Sequence, residues 1–78
     1  NPFNYTTNIK YIIPEKSFIQ LSLYDIKGEK LLELVSEEKD RGIYDLQLDL
    51  RNYTSGVYLY RITTSKGYSD VKKLILLK

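Results

Sequence analysis

The residues with chemical potential in this chain are carboxylates, lysines, arginines and tyrosines, because its 78 residues include no His and no Cys. The sequence therefore lacks the usual general base, the usual activated nucleophile, and the imidazole or thiolate ligands of a metal site. The remaining acid–base candidates, Asp45 and Asp49, lie on one face of a strongly alternating segment. We interpret them as part of a solvated strand face, so we expect neither an enzyme nor a bound cofactor.

A second acidic group could bind a hard cation, because the carboxylates of Glu37, Glu38 and Asp40 offer the oxygen ligands that Ca²⁺ prefers. However, the basic residues Lys39 and Arg41 interrupt this group, and its spacing matches no calcium-binding loop. We therefore predict a solvated, charged loop and no metal site at this position.

Tyrosines form a third group, since the chain contains eight of them. Tyr58 and Tyr60 share one face of a predicted strand, and exposed tyrosines can stack on sugars or on partner proteins. In a chain of this length, however, we expect Tyr44, Tyr58 and Tyr60 to pack in or near the core. A carbohydrate-binding role would require exposed, coplanar rings, so burial of these rings would argue against it.

The last group is a basic and apolar segment at the end of the chain. Lys72, Lys73 and Lys78 flank the apolar run at residues 74–77. This pattern is typical of an edge strand that charge protects against aggregation. It is equally compatible with a recognition tag, and spacing alone leaves both interpretations open.

Short β-strands must position all of these residues. Apolar and polar residues alternate with a period of two, which is typical of strands that bury one face. The predicted strands are residues 7–13, 18–24, 31–35, 43–50, 57–64 and 68–77. They are joined by turns and loops that include residues 25–28, the charged segment 36–41, and the tight hairpin 66–67. The predicted core consists of the inward-facing residues Ile9, Tyr11, Leu21, Leu23, Leu46, Leu48, Tyr58 and Tyr60.

Six or seven short strands with regular turns predict one all-β domain over residues 1–78, an antiparallel sandwich or a small barrel. The net charge of +2 is too small for a nucleic-acid footprint. No apolar run approaches the length that spans a bilayer. Because the first residue is Asn rather than Met, we expect the chain to be an excised piece of a larger protein.

Several short motifs occur in an informative order. The chain opens with Asn-Pro-Phe-Asn at residues 1–4, and Pro14 ends the first predicted strand. The later motifs comprise Leu21, Leu23, Tyr24, Asp25, Gly28, Gly42, Tyr44, Ser55, Gly56, Val57, Tyr58, Arg61, Lys72, Lys73, Leu74 and Lys78. In this order they resemble the type A C-terminal sorting domain of type IX (Por) secretion. Tyr5 departs from the pattern, because many members carry a second Pro there.

This resemblance implies a small Ig-like sandwich, related in fold to modules of flagellar hook-capping proteins. It implies a non-catalytic signal that directs a covalently linked upstream cargo through the outer-membrane secretion machinery. A sortase-like protease then commonly removes the domain. Such cargo passes through the periplasm and is secreted, or displayed on the cell surface, by a Gram-negative bacterium.

The resemblance also divides the motif residues into two classes. Recognition by the translocon is assigned to the C-terminal segment, namely Lys72, Lys73, Leu74, Leu76 and Lys78. The other motif residues are interpreted as architecture, because glycines allow sharp turns and an Asp can accept backbone N–H groups of its own turn. These structural turn residues are Pro2, Asp25, Gly28, Gly42, Gly56 and Gly67.

Two other functions remain open from the sequence. The chain could be a structural Ig-like module, either a spacer beside an enzyme domain or a homo-oligomeric subunit of an extracellular fibre. Less in keeping with the sequence is a carbohydrate-binding module that uses the tyrosines. Neither nucleic acid nor a membrane-spanning role is expected.

Overall fold

A computed structural model describes residues 6–77. Within this range the chain forms six strands and no helix. The strands are β1 Thr6–Ile13, β2 Ser17–Asp25, β3 Lys30–Lys39, β4 Gly42–Asp49, β5 Gly56–Thr64 and β6 Ser69–Leu76. The predicted N-terminal turn at residues 1–4, the departure at Tyr5 and the last basic residue, Lys78, lie outside the described residues.

The strands form two antiparallel sheets. One sheet has four strands in the order β3-β2-β5-β6, and the other pairs β1 with β4. This arrangement confirms the predicted all-β antiparallel sandwich. The relation to Ig-like and hook-capping modules stays a prediction.

The core lies between the two sheets and contains residues from five of the six strands. Six predicted core residues are buried: Ile9, Tyr11, Leu21, Leu23, Leu48 and Tyr58. The other two, Leu46 and Tyr60, are half-buried and pack against this cluster. The same inward faces also bury Ile13, Ile19, Leu50, Ile62 and Leu76. A period of two therefore identifies the buried face of most strands correctly.

The charged loop predicted at residues 36–41 is wrong over its first part. β3 continues to Lys39, and its residues Ser36 and Glu38 pair with Gln20 and Phe18 of β2. Backbone hydrogen bonds maintain this pairing, and an edge strand can carry charged side chains because most of them face water. Apolar alternation therefore underestimates the length of this strand.

The tight turn between β2 and β3 depends on one side chain and one glycine. The Asp25 Oδ1 oxygen accepts hydrogen bonds from the Lys27 and Glu29 backbone N–H groups, both at 2.9 Å. The Gly28 N–H donates to the Asp25 carbonyl at 3.0 Å. Gly28 has a φ of 92°, a left-handed conformation that residues with a β-carbon rarely adopt.

Gly28→Ala should lower the free energy of unfolding by about 1–2 kcal/mol, because a β-carbon strains a left-handed backbone. Apart from Gly28 and its two chain neighbours, no atom of residues 6–77 lies within 4 Å of the position that this β-carbon would occupy, so the loss would report backbone strain. The matched control is Gly42→Ala, where φ is not positive and the new β-carbon would meet the Tyr44 ring at an ordinary 3.5 Å. Urea unfolding of both variants checks this, and equal losses would contradict it.

One core tyrosine and one half-buried tyrosine couple the stability of the domain to alkaline pH. Burial raises the pKa of Tyr11 above its ordinary value of 10.0, although the charge of the nearby Lys39 opposes this. Burial, followed by the charge of Asp70, also raises the pKa of Tyr60. The folded domain thus holds these phenol protons more tightly than the unfolded chain does. Their contribution to stability is complete below the unfolded pKa and is lost as pH rises through the raised, folded pKa.

We expect the free energy of unfolding to decrease as pH rises above about 10. A Tyr11→Phe and Tyr60→Phe double variant has no phenol at either position, so its decrease over this range should be shallower. Urea unfolding at a series of pH values from neutral to alkaline measures the slope. A double variant with the slope of the natural sequence would show that these two phenols do not control the decrease.

Candidate functional site

The last strand, β6, lies at one edge of the four-stranded sheet. It pairs with β5 from Gly56 opposite Leu76 to Thr63 opposite Ser69. Among residues 6–77, no strand pairs with its other side. An edge of this kind presents backbone N–H and C=O groups to which a strand of another protein can be added.

The register with β5 divides the residues predicted for recognition between two faces. Leu74 lies opposite the buried Tyr58 and is half-buried against the core. Leu76 is only 6% exposed and belongs to the core itself. Lys73 lies opposite Leu59 on the outer face of the sheet and is exposed. The two leucines therefore hold β6 on the sandwich, and Lys73 faces outward.

Lys72 occupies a different environment from Lys73. It lies opposite Tyr60 in the ladder and lines a narrow cleft between the two sheets. Lys10, Asp70 and Tyr60 line the same cleft. Lys72 nevertheless remains exposed, so both lysines are accessible on opposite sides of one edge strand.

Sequence reasoning missed two exposed apolar residues on β6. Val71 is 52% exposed and Ile75 is 59% exposed, and both share the outer face with Lys73. The sequence does contain a signal for them, because residues two apart in a strand share a face and Val71, Lys73 and Ile75 are spaced in this way. The consecutive apolar residues of the segment obscured that signal, since they fit either face of a strand.

The turn residues singled out in the sequence occupy several different positions. Gly42 begins β4 beside the Tyr44 ring, and Gly56 begins β5 opposite Leu76. Gly67 has a φ of 89° in the hairpin between β5 and β6, and its N–H donates to the Thr64 carbonyl at 3.2 Å. Pro2 lies outside the described residues.

The motif tyrosine at the start of β5 secures the preceding loop. The Tyr58 hydroxyl donates a hydrogen bond of 2.6 Å to the Thr54 carbonyl, and its buried ring packs edge-on to Tyr53 with centroids 6.1 Å apart. A buried ring with a satisfied hydroxyl is a stabilising arrangement. Tyr44 and Tyr60 are half-buried against the core. These three rings therefore provide no flat, exposed platform for a sugar.

Two of the candidate acidic residues form ordinary surface ion pairs. Glu37 forms an ion pair with Lys39 at 3.1 Å, and Asp49 forms one with Arg51 at 3.0 Å. Asp45 lies opposite Lys10 in the β1–β4 ladder. Within residues 6–77, no group of three or more His, Cys, Asp or Glu side chains is placed to hold a metal ion. The same range contains no helix long and apolar enough to cross a membrane.

Residues 1–77 match the family described as the secretion system C-terminal sorting domain. No curated protein and no solved structure gives a significant match. The family match extends over almost the whole chain and therefore includes every strand. The chain belongs to this family, and it is a C-terminal sorting signal of type IX secretion, which marks a protein for release or surface display across the outer membrane of a Gram-negative bacterium.

Proposed function

We propose that this domain acts purely by binding, with no catalytic activity of its own, and that the outer-membrane secretion machinery recognises it by binding β6. The observation that carries the proposal is the position of β6 at the sheet edge, with accessible lysines on both of its sides. An added strand from the machinery would gain main-chain hydrogen bonds, and the lysines would select a partner with complementary charge.

The residues predicted for recognition have distinct roles in this proposal. Lys72, Lys73 and Lys78 supply charge, whereas Leu74 and Leu76 keep β6 in register by packing into the core. Removing a core leucine would therefore disturb folding and recognition together. Changing an exposed lysine would disturb recognition alone.

The larger context completes the proposal. Residues 1–78 form a single domain attached to an upstream cargo, and a sortase-like protease separates the two after export. The domain binds no nucleic acid, which agrees with its net charge of only +2.

Charge reversal of the three lysines of the C-terminal segment tests the role of β6. We expect Lys72→Glu, Lys73→Glu and Lys78→Glu, combined in a reporter fusion, to leave the reporter in the periplasm. Lys72 and Lys73 are exposed, and a substitution at an exposed position changes stability by only about 0.5 kcal/mol, so the fusion should melt within a few degrees of the unaltered one. The fraction of reporter in the medium and on the cell surface is the measurement.

The matched control reverses three lysines in the turns, namely Lys16, Lys27 and Lys66, all of which are exposed. It produces the same change in net charge away from β6, and we expect normal export. Normal export of the β6 variant, with its fold intact, would show that its lysines protect a free edge and carry no signal. Deletion of residues 74–78 is a poor substitute, because losing one large buried apolar side chain already costs about 1.5–3 kcal/mol.

We also expect no catalytic turnover. The purified domain, without a fusion partner, should hydrolyse peptide, ester and glycoside substrates no faster than buffer alone does. A reproducible activity that Asp45→Asn or Asp49→Asn abolishes would contradict the proposal of a purely binding role.

A further inference from the structure

The outer face of the β5–β6 half of the large sheet carries an apolar surface that the fold itself does not cover. The residues of this surface form three neighbouring rows of cross-strand pairs. We call this surface the outer patch, and its rows are Val57 with Ile75, Tyr24 with Leu59 and Lys73, and Arg61 with Val71. Rows are about 6.7 Å apart along the strands and strands about 4.8 Å apart, so the patch extends over roughly 13 by 10 Å.

The apolar members of the outer patch are accessible. Val71 and Ile75 are more than half exposed, and Val57 and Leu59 are half-buried by their neighbours. A shallow hollow lies at the Leu59–Val71 side of the patch. Outward-facing positions of a sandwich are ordinarily polar, so an apolar group here points to a surface that a partner covers.

The two cations of the outer patch, Arg61 and Lys73, have no ion-pair partner within residues 6–77. The outward positions of β5 and β6 include no carboxylate at all: they are Val57, Leu59, Arg61, Thr63, Ser69, Val71, Lys73 and Ile75. A partner that covers the patch must therefore supply negative charge.

The outer face of the smaller sheet provides an internal comparison. Ile12 lies opposite Ile43 there, and these side chains are 49% and 67% exposed. In the same ladder, however, Lys10 lies opposite Asp45, so a carboxylate accompanies the cation on this face. Exposed apolar pairs thus occur on both sheets. On the smaller sheet a carboxylate lies opposite the lysine, whereas the outward positions of β5 and β6 carry cations and no carboxylate.

These charges also discriminate among possible occupants. A second copy docked face to face would bring Arg61 and Lys73 against the same cations of its partner, and like charges in an interface disfavour association. A lipid surface would gain attraction from only two cations, whereas stable membrane binding uses clusters of four to eight basic residues. A protein surface with an apolar centre and a carboxylate border matches both features of the patch.

We infer that the outer patch is the docking surface for a component of the secretion machinery that presents an apolar surface bordered by carboxylates. This inference rests on the proposed function and assigns the side-chain contacts to residues other than the core leucines of β6. Val71 and Ile75 supply the apolar contact, and Lys73 and Arg61 pair with the carboxylates. The free edge of β6 lies directly beside this surface, so one partner can engage both.

The test compares two double variants of a reporter fused to this domain, in a bacterium with a functional type IX system. One is Val71→Thr with Ile75→Thr in the outer patch, and the control is Ile12→Thr with Ile43→Thr on the smaller sheet. Thr keeps the branched shape that suits strands and removes apolar contact area. We expect the patch variant to lower the exported fraction about tenfold, and the control to export normally at an unchanged melting temperature.

Charge variants test the second half of the inference. Lys73→Gln combined with Arg61→Gln should reduce export several-fold. Lys73→Arg retains the positive charge, so export should stay at the level of the unaltered fusion. Equal export from the patch variant and the unaltered fusion would overturn the assignment of the outer patch as a docking surface while leaving the sorting function intact. Absence of export from the unaltered fusion would instead overturn the proposed function.

Two solution measurements distinguish the other occupants. Sedimentation of the unaltered fusion should give a monomer, and a dimer that Val71→Thr with Ile75→Thr dissociates would assign the patch to a second copy. Vesicles containing phosphatidylglycerol should not retain the fusion, and retention that the same variant abolishes would assign the patch to lipid. Either result would overturn the inference of an acidic protein partner.

Discussion

The pairing of β2 with β5 at the centre of the four-stranded sheet is the interaction on which the rest of the structure depends. Ile19, Leu21 and Leu23 of β2 are completely buried, and the pairs Leu21–Ile62 and Leu23–Tyr60 connect them to β5. Because side chains alternate along each strand, this one register fixes which face of β5 is buried. The register of β6 against β5 then fixes which residues of the last strand reach water.

This dependence explains how one strand can serve both stability and binding. Leu74 and Leu76 point toward the core, while Lys73 and Ile75 point away from it, although all four are adjacent in the chain. A domain without disulfides must obtain its stability from such packing, and a small domain has little to spare. The alternation allows β6 to contribute to the core through one face and to remain accessible through the other.

The two sheets differ in the arrangement of charged residues on their outer faces. On the smaller sheet, Lys10 lies opposite Asp45, so residues of opposite charge occupy facing positions of the two strands. On the β5–β6 half of the large sheet, Arg61 and Lys73 lie among apolar side chains with no carboxylate at the outward positions of these strands. Folding alone does not require this asymmetry. Binding to another protein would explain this asymmetry, because complementary charge confers specificity on an apolar contact.

The sequence by itself determined the class of fold, the approximate strands and most inward faces, because a period of two is a local property that each strand displays separately. It also determined the family, through the order of its motifs. It underestimated β3, since an edge strand is held by backbone pairing that leaves no apolar signature at residues such as Ser36 and Glu38. Only the tertiary structure decided how the final segment divides between core and surface. The run of apolar residues at its end fits either face, and the register against β5 alone places Leu76 inside and Ile75 outside.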